Sequence, residues 1–264
     1  MAGAKSLVRD LIYSIPGARR LRLAANVLLD LDRPDFSGWG MVTHTYPPWL
    51  SDDVTARDFL KANDELSGLL VAGRFKLSQF AGSDPRAELA RLMWRHYLVF
   101  WSARHCPGDL VECGVCDGLT VWFALRATGA RAYLYDAWEG MKPELLLESE
   151  KQYAGSYAYL QIERTRVNLA GLPAVFNKGF VPESFATSQN PERVAWLHID
   201  LNSAIPTKGA LEFFYGRVQP GGVILFNSYG WHGHEETRRA ADAFFRGKGQ
   251  VLALPTGQAM FFKH

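Results

Sequence analysis

The chain has 264 residues, of which 48 % are hydrophobic, as is typical of a globular protein with a sizeable core. Its 29 basic and 27 acidic side chains give a formal charge of +2, without the basic excess that nucleic-acid binders show. Three cysteines are too few for a disulfide scaffold, and no apolar run approaches the roughly 20 residues of a membrane span. We therefore expect a cytoplasmic protein without a secretory leader, a membrane span or a nucleic-acid partner.

Residues 1–85 differ in character from the rest of the chain. Residues 3–30 combine basic and apolar residues around a Pro-Gly breaker, which predicts two short helices with water-facing arginines; contact with a membrane surface is the alternative. Residues 33–50 are rich in glycine, proline and aromatic residues, and such a loop beside a catalytic domain often covers a ligand. We interpret 1–85 as a helical cap and lid, with Tyr46 as a candidate substrate contact and enough apolar surface for a homodimer.

From residue 86, helical and strand-like segments alternate. In chain order, helices are predicted at 88–105, 119–129, 159–172, 210–218 and 235–249, strands at 109–114, 131–136, 174–179, 194–200 and 221–227, and a hairpin at 250–264. This alternation predicts an α/β fold with a doubly wound, mostly parallel, seven-stranded sheet, to which the hairpin adds an antiparallel strand. The binding crevice of such a sheet lies at the carboxyl ends of the strands, where the strand order reverses.

The strongest local signal is VECGVCDGLT at residues 111–120, followed by Asp136 at the end of the next strand. Gly114 and Gly118 permit a sharp turn and a close approach to a ligand, and Asp136 can accept hydrogen bonds from both hydroxyls of a ribose. The loop lacks the Gly-x-Gly-x-x-Gly spacing of a dinucleotide site. Glu112 would repel a pyrophosphate but suits a ligand with an ammonium and a sulfonium group. These residues favour S-adenosylmethionine over NAD. Alternatively, the two glycines serve only to pack the strand against the helix.

Six segments occur in the order found in class I S-adenosylmethionine-dependent methyltransferases: VECGVCDGLT, YLYDAWEGM, NKGF, LHIDLN, QPGGVILFNSYGW and ETRRAADAFF. Over residues 86–264 the chain most resembles the macrocin O-methyltransferase family, whose members methylate hydroxyls of sugars and natural products. The resemblance implies a Rossmann-like methyltransferase domain at 86–264. It also implies a set of cofactor contacts, namely Glu112, Gly114, Val115, Gly118, Asp136, Ala137, Trp138, Gly179, Phe180 and Asp200.

The acceptor side departs from the family pattern. Many members hold Mg²⁺ with an Asp-x-Asp after the fourth strand and an Asp-Asp-Tyr-Gly after the fifth, and this hard cation prefers oxygen ligands. The matching segments here read Asp200-Leu201-Asn202 and Asn227-Ser228-Tyr229-Gly230, so only one of the four carboxylates is present. We therefore predict no metal site and no dependence on Mg²⁺.

An oxygen nucleophile gains from a base that titrates near neutral pH. His232 and His234 follow the fifth predicted strand, and together with Asp200 they are the candidate bases. A zinc-type site made from the same three residues is an alternative, and His234 alone could bond its own helix backbone. The expected acceptor-binding residues are Tyr46, Asn202, Asn227, Tyr229 and Trp231.

Arg91 and Arg95 lie in the predicted helix at 88–105. They could reach the carboxylate of the cofactor's methionine moiety, or they could face water. The leading hypothesis for the whole chain is an S-adenosylmethionine-dependent O-methyltransferase acting on a hydroxyl of a sugar, glycoconjugate or natural product. The alternative is a cofactor-binding protein with lost or non-methylating activity. The reason to consider it is that Asn227-Ser228 stands where many family members have two aspartates.

Overall fold

The computed structural model describes residues 54–75, 89 and 92–264. Tyr46, Arg91, the predicted helices in 3–30 and the loop at 33–50 lie outside these residues. The helices are α1 (Val54–Val71), α2 (Met93–Arg104), α3 (Leu119–Thr128), α4 (Ile162–Asn168), α5 (Ala204–Phe214) and α6 (Glu235–Phe245). The strands are β1 (Asp109–Cys113), β2 (Ala132–Asp136), β3 (Ala174–Lys178), β4 (Val194–Ile199), β5 (Val218–Phe226), β6 (Leu252–Ala253) and β7 (Ala259–Phe262). No helix within these described ranges is long and apolar enough to cross a bilayer.

The seven strands form one sheet in the order β3-β2-β1-β4-β5-β7-β6. Neighbouring strands from β1 to β5 pair in parallel, whereas β7 runs antiparallel to both β5 and β6. The predicted Rossmann-like α/β sheet of seven strands is therefore confirmed, including the terminal hairpin. The order of the strands reverses between β1 and β4, so the ligand crevice of this fold lies outside the carboxyl ends of these two strands.

Both faces of the sheet are buried, because successive strand residues point to opposite helix layers. Leu110 and Trp196 belong to a core that includes residues of α1, α2 and α3, while Val111 and Leu197 belong to a second core with residues of α5 and α6. All six residues of β4 are buried, as its nearly continuous apolar sequence requires. The sheet is thus a rigid support on which the loops at one edge are held.

The helix predicted at 210–218 begins six residues earlier than expected, at Ala204. Pro206 and Gly209 argue against a helix from sequence alone, but a proline is tolerated in the first helical turn, where the backbone lacks intrahelical acceptors. The buried carboxylate of Glu150 accepts a hydrogen bond from the Ala204 amide at 2.9 Å and so satisfies one of these free donors. The chain leaves the helix after Phe214, and residues 218–220 belong to β5.

Helix α1 packs into the first core through Phe59, which is fully buried. The Phe59 ring lies with its centroid 5.4 Å from Tyr97 and 5.7 Å from both Phe100 and Phe123. Residues of α1 therefore contribute to the core of the α/β domain, while the predicted boundary between a cap at 1–85 and a domain at 86–264 stays a prediction.

Replacing Phe59 with alanine should remove the centre of this aromatic cluster and lower the free energy of unfolding by about 3–5 kcal/mol. Denaturant unfolding of the full chain, followed by tryptophan fluorescence, measures this loss. Val54→Ala on the same helix is the matched control, because Val54 is exposed and its truncation should change stability by less than about 0.5 kcal/mol. Equal stability of the two variants would show that α1 is not part of this core.

Candidate active site

A cavity opens at the carboxyl ends of the five parallel strands. Each strand is followed by residues that line it: Gly114 and Cys116 after β1, Asp136 and Ala137 at the end of β2, Gly179 and Phe180 after β3, Asp200 and Asn202 after β4, and Asn227 and Ser228 after β5. The segment at 139–160, which connects β2 to α4, supplies apolar and aromatic side chains that include Met141, Leu146 and Tyr157. The crevice expected from the strand order is therefore present.

The loop after β1 is held by the carboxylate of Asp136. One Asp136 oxygen accepts hydrogen bonds from the amides of Val115 at 2.7 Å and Cys116 at 2.9 Å, and the other accepts from the amide of Trp138 at 2.7 Å. Burial raises the pKa of Asp136, and these hydrogen bonds oppose that shift by favouring the ionised form. Because a carboxylate oxygen can accept more than one hydrogen bond, Asp136 retains capacity for a ligand in the cavity.

Gly114 is required by the close approach of two loops. Its φ of +85° is in the left-handed region, and a Cβ added there would lie 2.1 Å from the carbonyl oxygen of Asp200. Gly118 also has a left-handed φ of +89° at the start of α3, and its added Cβ would lie 3.1 Å from the Leu169 side chain. The two predicted loop glycines therefore bring the loop against β4 and α4, and only Gly114 lines the cavity.

Glu112 lies beneath this loop and does not line the cavity. It is 1 % exposed, and its Oε1 is 2.7 Å from Nδ1 of His198, the residue opposite it in the register of β1 and β4. Burial raises the pKa of Glu112 and lowers that of His198 to about 4, so the interior favours the neutral form of both groups. The carboxyl group expected to face an ammonium ion is thus placed against a histidine.

Trp138 is also part of the support for the loop. It is 3 % exposed, and its indole N–H donates to the carbonyl of Cys116 at 3.0 Å and to the Thr165 hydroxyl at 2.9 Å. Its ring does not line the cavity, whereas Phe180 does, with the ammonium group of Lys142 4.0 Å from the Phe180 ring centroid. Of the two aromatic residues expected to contact the cofactor, Trp138 and Phe180, only Phe180 lines the cavity.

A hydrogen-bonded chain connects β4, β5 and α2 on the acceptor side. Asn227 Nδ2 donates to Oδ2 of Asp200 at 2.8 Å, and Arg95 Nη2 donates to Oδ1 of Asn227 at 2.6 Å. Burial raises the pKa of Asp200, and His198, Arg95 and the Asn227 hydrogen bond act in the opposite direction. Arg95 is therefore half-buried and does not line the cavity; it contacts the Asn227 side chain that does.

The residues at the family's metal positions do not fit a Mg²⁺ site. Asn227 directs its amide nitrogen toward Asp200 and its oxygen toward the Arg95 guanidinium, so the oxygen that a cation needs is already engaged by a positive group. Asn202 donates its side-chain amide to the Tyr157 hydroxyl at 2.9 Å. Over the described ranges, no group of three or more His, Cys, Asp or Glu residues could hold a metal ion.

The two candidate histidines point in different directions. His232 is fully exposed, with its Nδ1 3.1 Å from the Glu235 carboxylate, and it lies outside the cavity lining. His234 lines the cavity and stacks on Tyr153 with a centroid separation of 5.4 Å. Burial lowers the pKa of His234, while a backbone contact with Asn202 and the nearby Glu235 and Glu150 oppose the shift. A neutral imidazole therefore faces the cavity at neutral pH.

Of the two remaining predicted acceptor contacts, one lines the cavity and the other does not. Trp231 lines the cavity, and the guanidinium carbon of Arg95 lies 4.7 Å from its ring centroid. Tyr229 does not line the cavity; its hydroxyl donates to the carboxylate of Asp242. Of the described candidates, Asn202, Asn227 and Trp231 therefore line the cavity together with Asp200 and His234.

Residues 98–254, more than half of the chain, match the model of the family described as Macrocin-O-methyltransferase (TylF). The chain belongs to the macrocin O-methyltransferase family. It is an S-adenosylmethionine-dependent O-methyltransferase, as the resemblance of its six segments implies. None of the curated proteins matches the chain.

Two solved structures share the fold. The O-methyltransferase NovP is 19 % identical with a TM-score of 0.55, and the match covers 64 % of this chain and 79 % of that one. The calicheamicin methyltransferase CalS11 is 17 % identical with a TM-score of 0.55, and the match covers 80 % of this chain and 94 % of that one. At these identities the likeness shows a common fold, in agreement with the strand order of this macrocin O-methyltransferase family member.

Replacing Gly114 with alanine should weaken S-adenosylmethionine binding by about tenfold or more, because the new methyl group would push the cofactor loop away from Asp200. The matched control is Gly129→Ala, since Gly129 has a similar φ of +66° but nothing within 4 Å of an added Cβ. The control should lose about 1 kcal/mol of stability and keep its affinity within about twofold. Calorimetric titration measures both affinities, and equal values would contradict the proposed approach of the two loops.

Proposed function

We propose that the protein methylates a hydroxyl group of a sugar or another small natural product, and that it does so without Mg²⁺. The observation that carries this proposal is that the cofactor loop, the Asp200 carboxylate and the His234 imidazole line the same cavity. The matching family is named for macrocin and CalS11 for calicheamicin, and both names support a small-molecule acceptor. A cytoplasmic location, a homodimer and the absence of a nucleic-acid partner stay predictions from the sequence.

Four residues of the cavity are suited to hold the cofactor. Asp136 offers carboxylate lone pairs at the end of β2, Ala137 and Phe180 form an apolar wall, and Gly114 exposes backbone beside them. When bound, S-adenosylmethionine supplies a methyl group on a positively charged sulfur, and its transfer needs alignment with the acceptor more than activation. Phe180 excludes water from one side, and the segment at 139–160 covers another with Met141, Leu145 and Leu146.

We assign the role of general base to Asp200. Its half-buried carboxylate lines the cavity, and desolvation raises its pKa and so makes it a stronger base than a carboxylate in water. In this scheme Asp200 would take the proton of the acceptor hydroxyl, whose oxygen would displace the sulfur from the methyl carbon, so that the carbon–sulfur bond breaks and a neutral thioether leaves. Ser228 lines the same wall, and its buried hydroxyl has no hydrogen-bond partner among the described residues, so it can orient a hydroxyl of the acceptor.

Methyl transfer to a panel of sugars and glycosylated natural products should proceed at the same rate with and without EDTA, because the acceptor side offers one carboxylate and a guanidinium in place of a metal-binding set. The readout is transfer of a radiolabelled methyl group from S-adenosylmethionine to the product. A metal-dependent member of the same family serves as the control that EDTA is effective. Loss of activity in EDTA that added Mg²⁺ restores would contradict metal independence.

Asp200→Asn should lower kcat by about 10²–10⁴-fold, since the amide keeps the shape of the side chain but cannot take a proton. His234→Gln should lower kcat by less than about tenfold if the imidazole only borders the acceptor. His232→Gln is the surface control and should leave kcat unchanged, because its side chain is fully exposed outside the cavity. A larger loss in His234→Gln than in Asp200→Asn would transfer the role of base to His234.

A further inference from the structure

The Arg95 guanidinium is held in position behind the cavity wall by several contacts. Arg95 donates from Nη1 to the carbonyl of Thr256 at 3.0 Å, and from Nη2 to the carbonyl and the side-chain oxygen of Asn227 at 3.2 and 2.6 Å. The guanidinium also lies over the ring of Trp231. Contacts with the turn between β6 and β7, with the end of β5 and with the following loop therefore fix the guanidinium in three directions.

The contact with Arg95 determines which way the Asn227 amide points. A guanidinium has only donors, and the carboxylate of Asp200 has only acceptors when it is ionised. Asn227 therefore has to direct Oδ1 toward Arg95 and Nδ2 toward Asp200, because the flipped amide would oppose donor to donor and acceptor to acceptor. The charge on Arg95 also polarises the amide and strengthens the hydrogen bond that Nδ2 donates.

This chain of contacts connects a positive charge to the proposed base without a metal ion. Asp200 and Arg95 are opposite charges in a partly buried region, separated by one neutral amide that bonds to both. A carboxylate at position 227 would instead face a second carboxylate at position 200, and such a pair needs a cation between its oxygens. The amide at position 227 is therefore compatible with the Arg95 guanidinium, whereas a carboxylate at this position would call for a metal ion.

The geometry points to Arg95 as a positioning residue for methyl transfer: through Asn227 it orients the Asp200 carboxylate toward the acceptor, and its fixed charge takes the place of a divalent cation. This inference rests on the proposed function, because it assumes that Asp200 accepts the proton. Arg95 itself does not touch the cavity, so it acts on the acceptor only through Asn227 and Asp200.

The first test separates a positioning role from a merely structural one. Arg95→Met should lower kcat by about tenfold or more, leave the KM for S-adenosylmethionine within about twofold, and regain part of its kcat in millimolar guanidinium chloride. Arg95→Lys should keep more activity than Arg95→Met, because it retains the charge without the planar fork. Arg104→Met is the control, because Arg104 lies on the same helix as Arg95 but pairs at the surface with Asp58 of α1. This variant should neither lose kcat nor respond to guanidinium.

A second variant covers the case in which Arg95→Met does not fold. Asn227→Ala leaves the contacts of Arg95 with Thr256 and Trp231 but removes the connection to Asp200. It should show the same loss of kcat as Arg95→Met, and guanidinium should not restore it. Unchanged kcat in Arg95→Met, or in Asn227→Ala when the arginine variant is insoluble, overturns the inference.

The third test does not depend on the acceptor. The wild-type protein should show no binding heat with Mn²⁺, whereas the double variant Arg95→Met/Asn227→Asp should bind Mn²⁺, because it replaces an amide and a cation with a carboxylate. Equal Mn²⁺ affinity of the two proteins would overturn the inference that the Arg95 charge takes the place of a divalent cation. If Asp200→Asn keeps wild-type kcat, the proposed base is wrong, and these titrations alone decide whether Arg95 excludes a cation.

Discussion

The contact between the loop after β1 and the end of β4 is the constraint on which the site depends. β1 and β4 are parallel neighbours at the point where the strand order reverses, so their carboxyl ends emerge side by side. The Asp200 amide donates to the carbonyl of Cys113 at 2.8 Å, which extends the strand pairing into the loops, and Gly114 then passes against the Asp200 carbonyl. A residue with a side chain at 114 would separate the cofactor loop from the proposed base.

Sequence reasoning identified the parts of the site that depend on local spacing. Gly114, Gly118 and Asp136 follow two predicted strands at characteristic positions, and the backbone torsions and hydrogen bonds of the structure explain each of them. Glu112 and Trp138 belong to the same motifs, yet their side chains point into the interior. Their orientation depends on the register of β1 with β4 and on a positive φ at Trp138, and neither follows from spacing along the chain.

The acceptor side was harder to predict because its residues meet only through tertiary packing. Arg95 lies 132 residues before Asn227, and the helix around it offers several arginines with no local sign of which one turns inward. His232 and His234 are two residues apart in a turn, and the geometry at the start of α6 directs one ring to water and the other to the cavity. The early start of α5 likewise depends on Glu150, 54 residues away.

The interior beneath the site explains why one fixed charge has a large influence there. Burial lowers the pKa of His96 to about 3 and that of His198 to about 4, and it raises the pKa of Glu112, so these groups favour their neutral forms. Neutral groups of low mobility screen a nearby charge poorly compared with water. The Arg95 charge lowers the pKa of Asp200 across a single amide, whereas a cation bound from solvent would first have to lose much of its hydration.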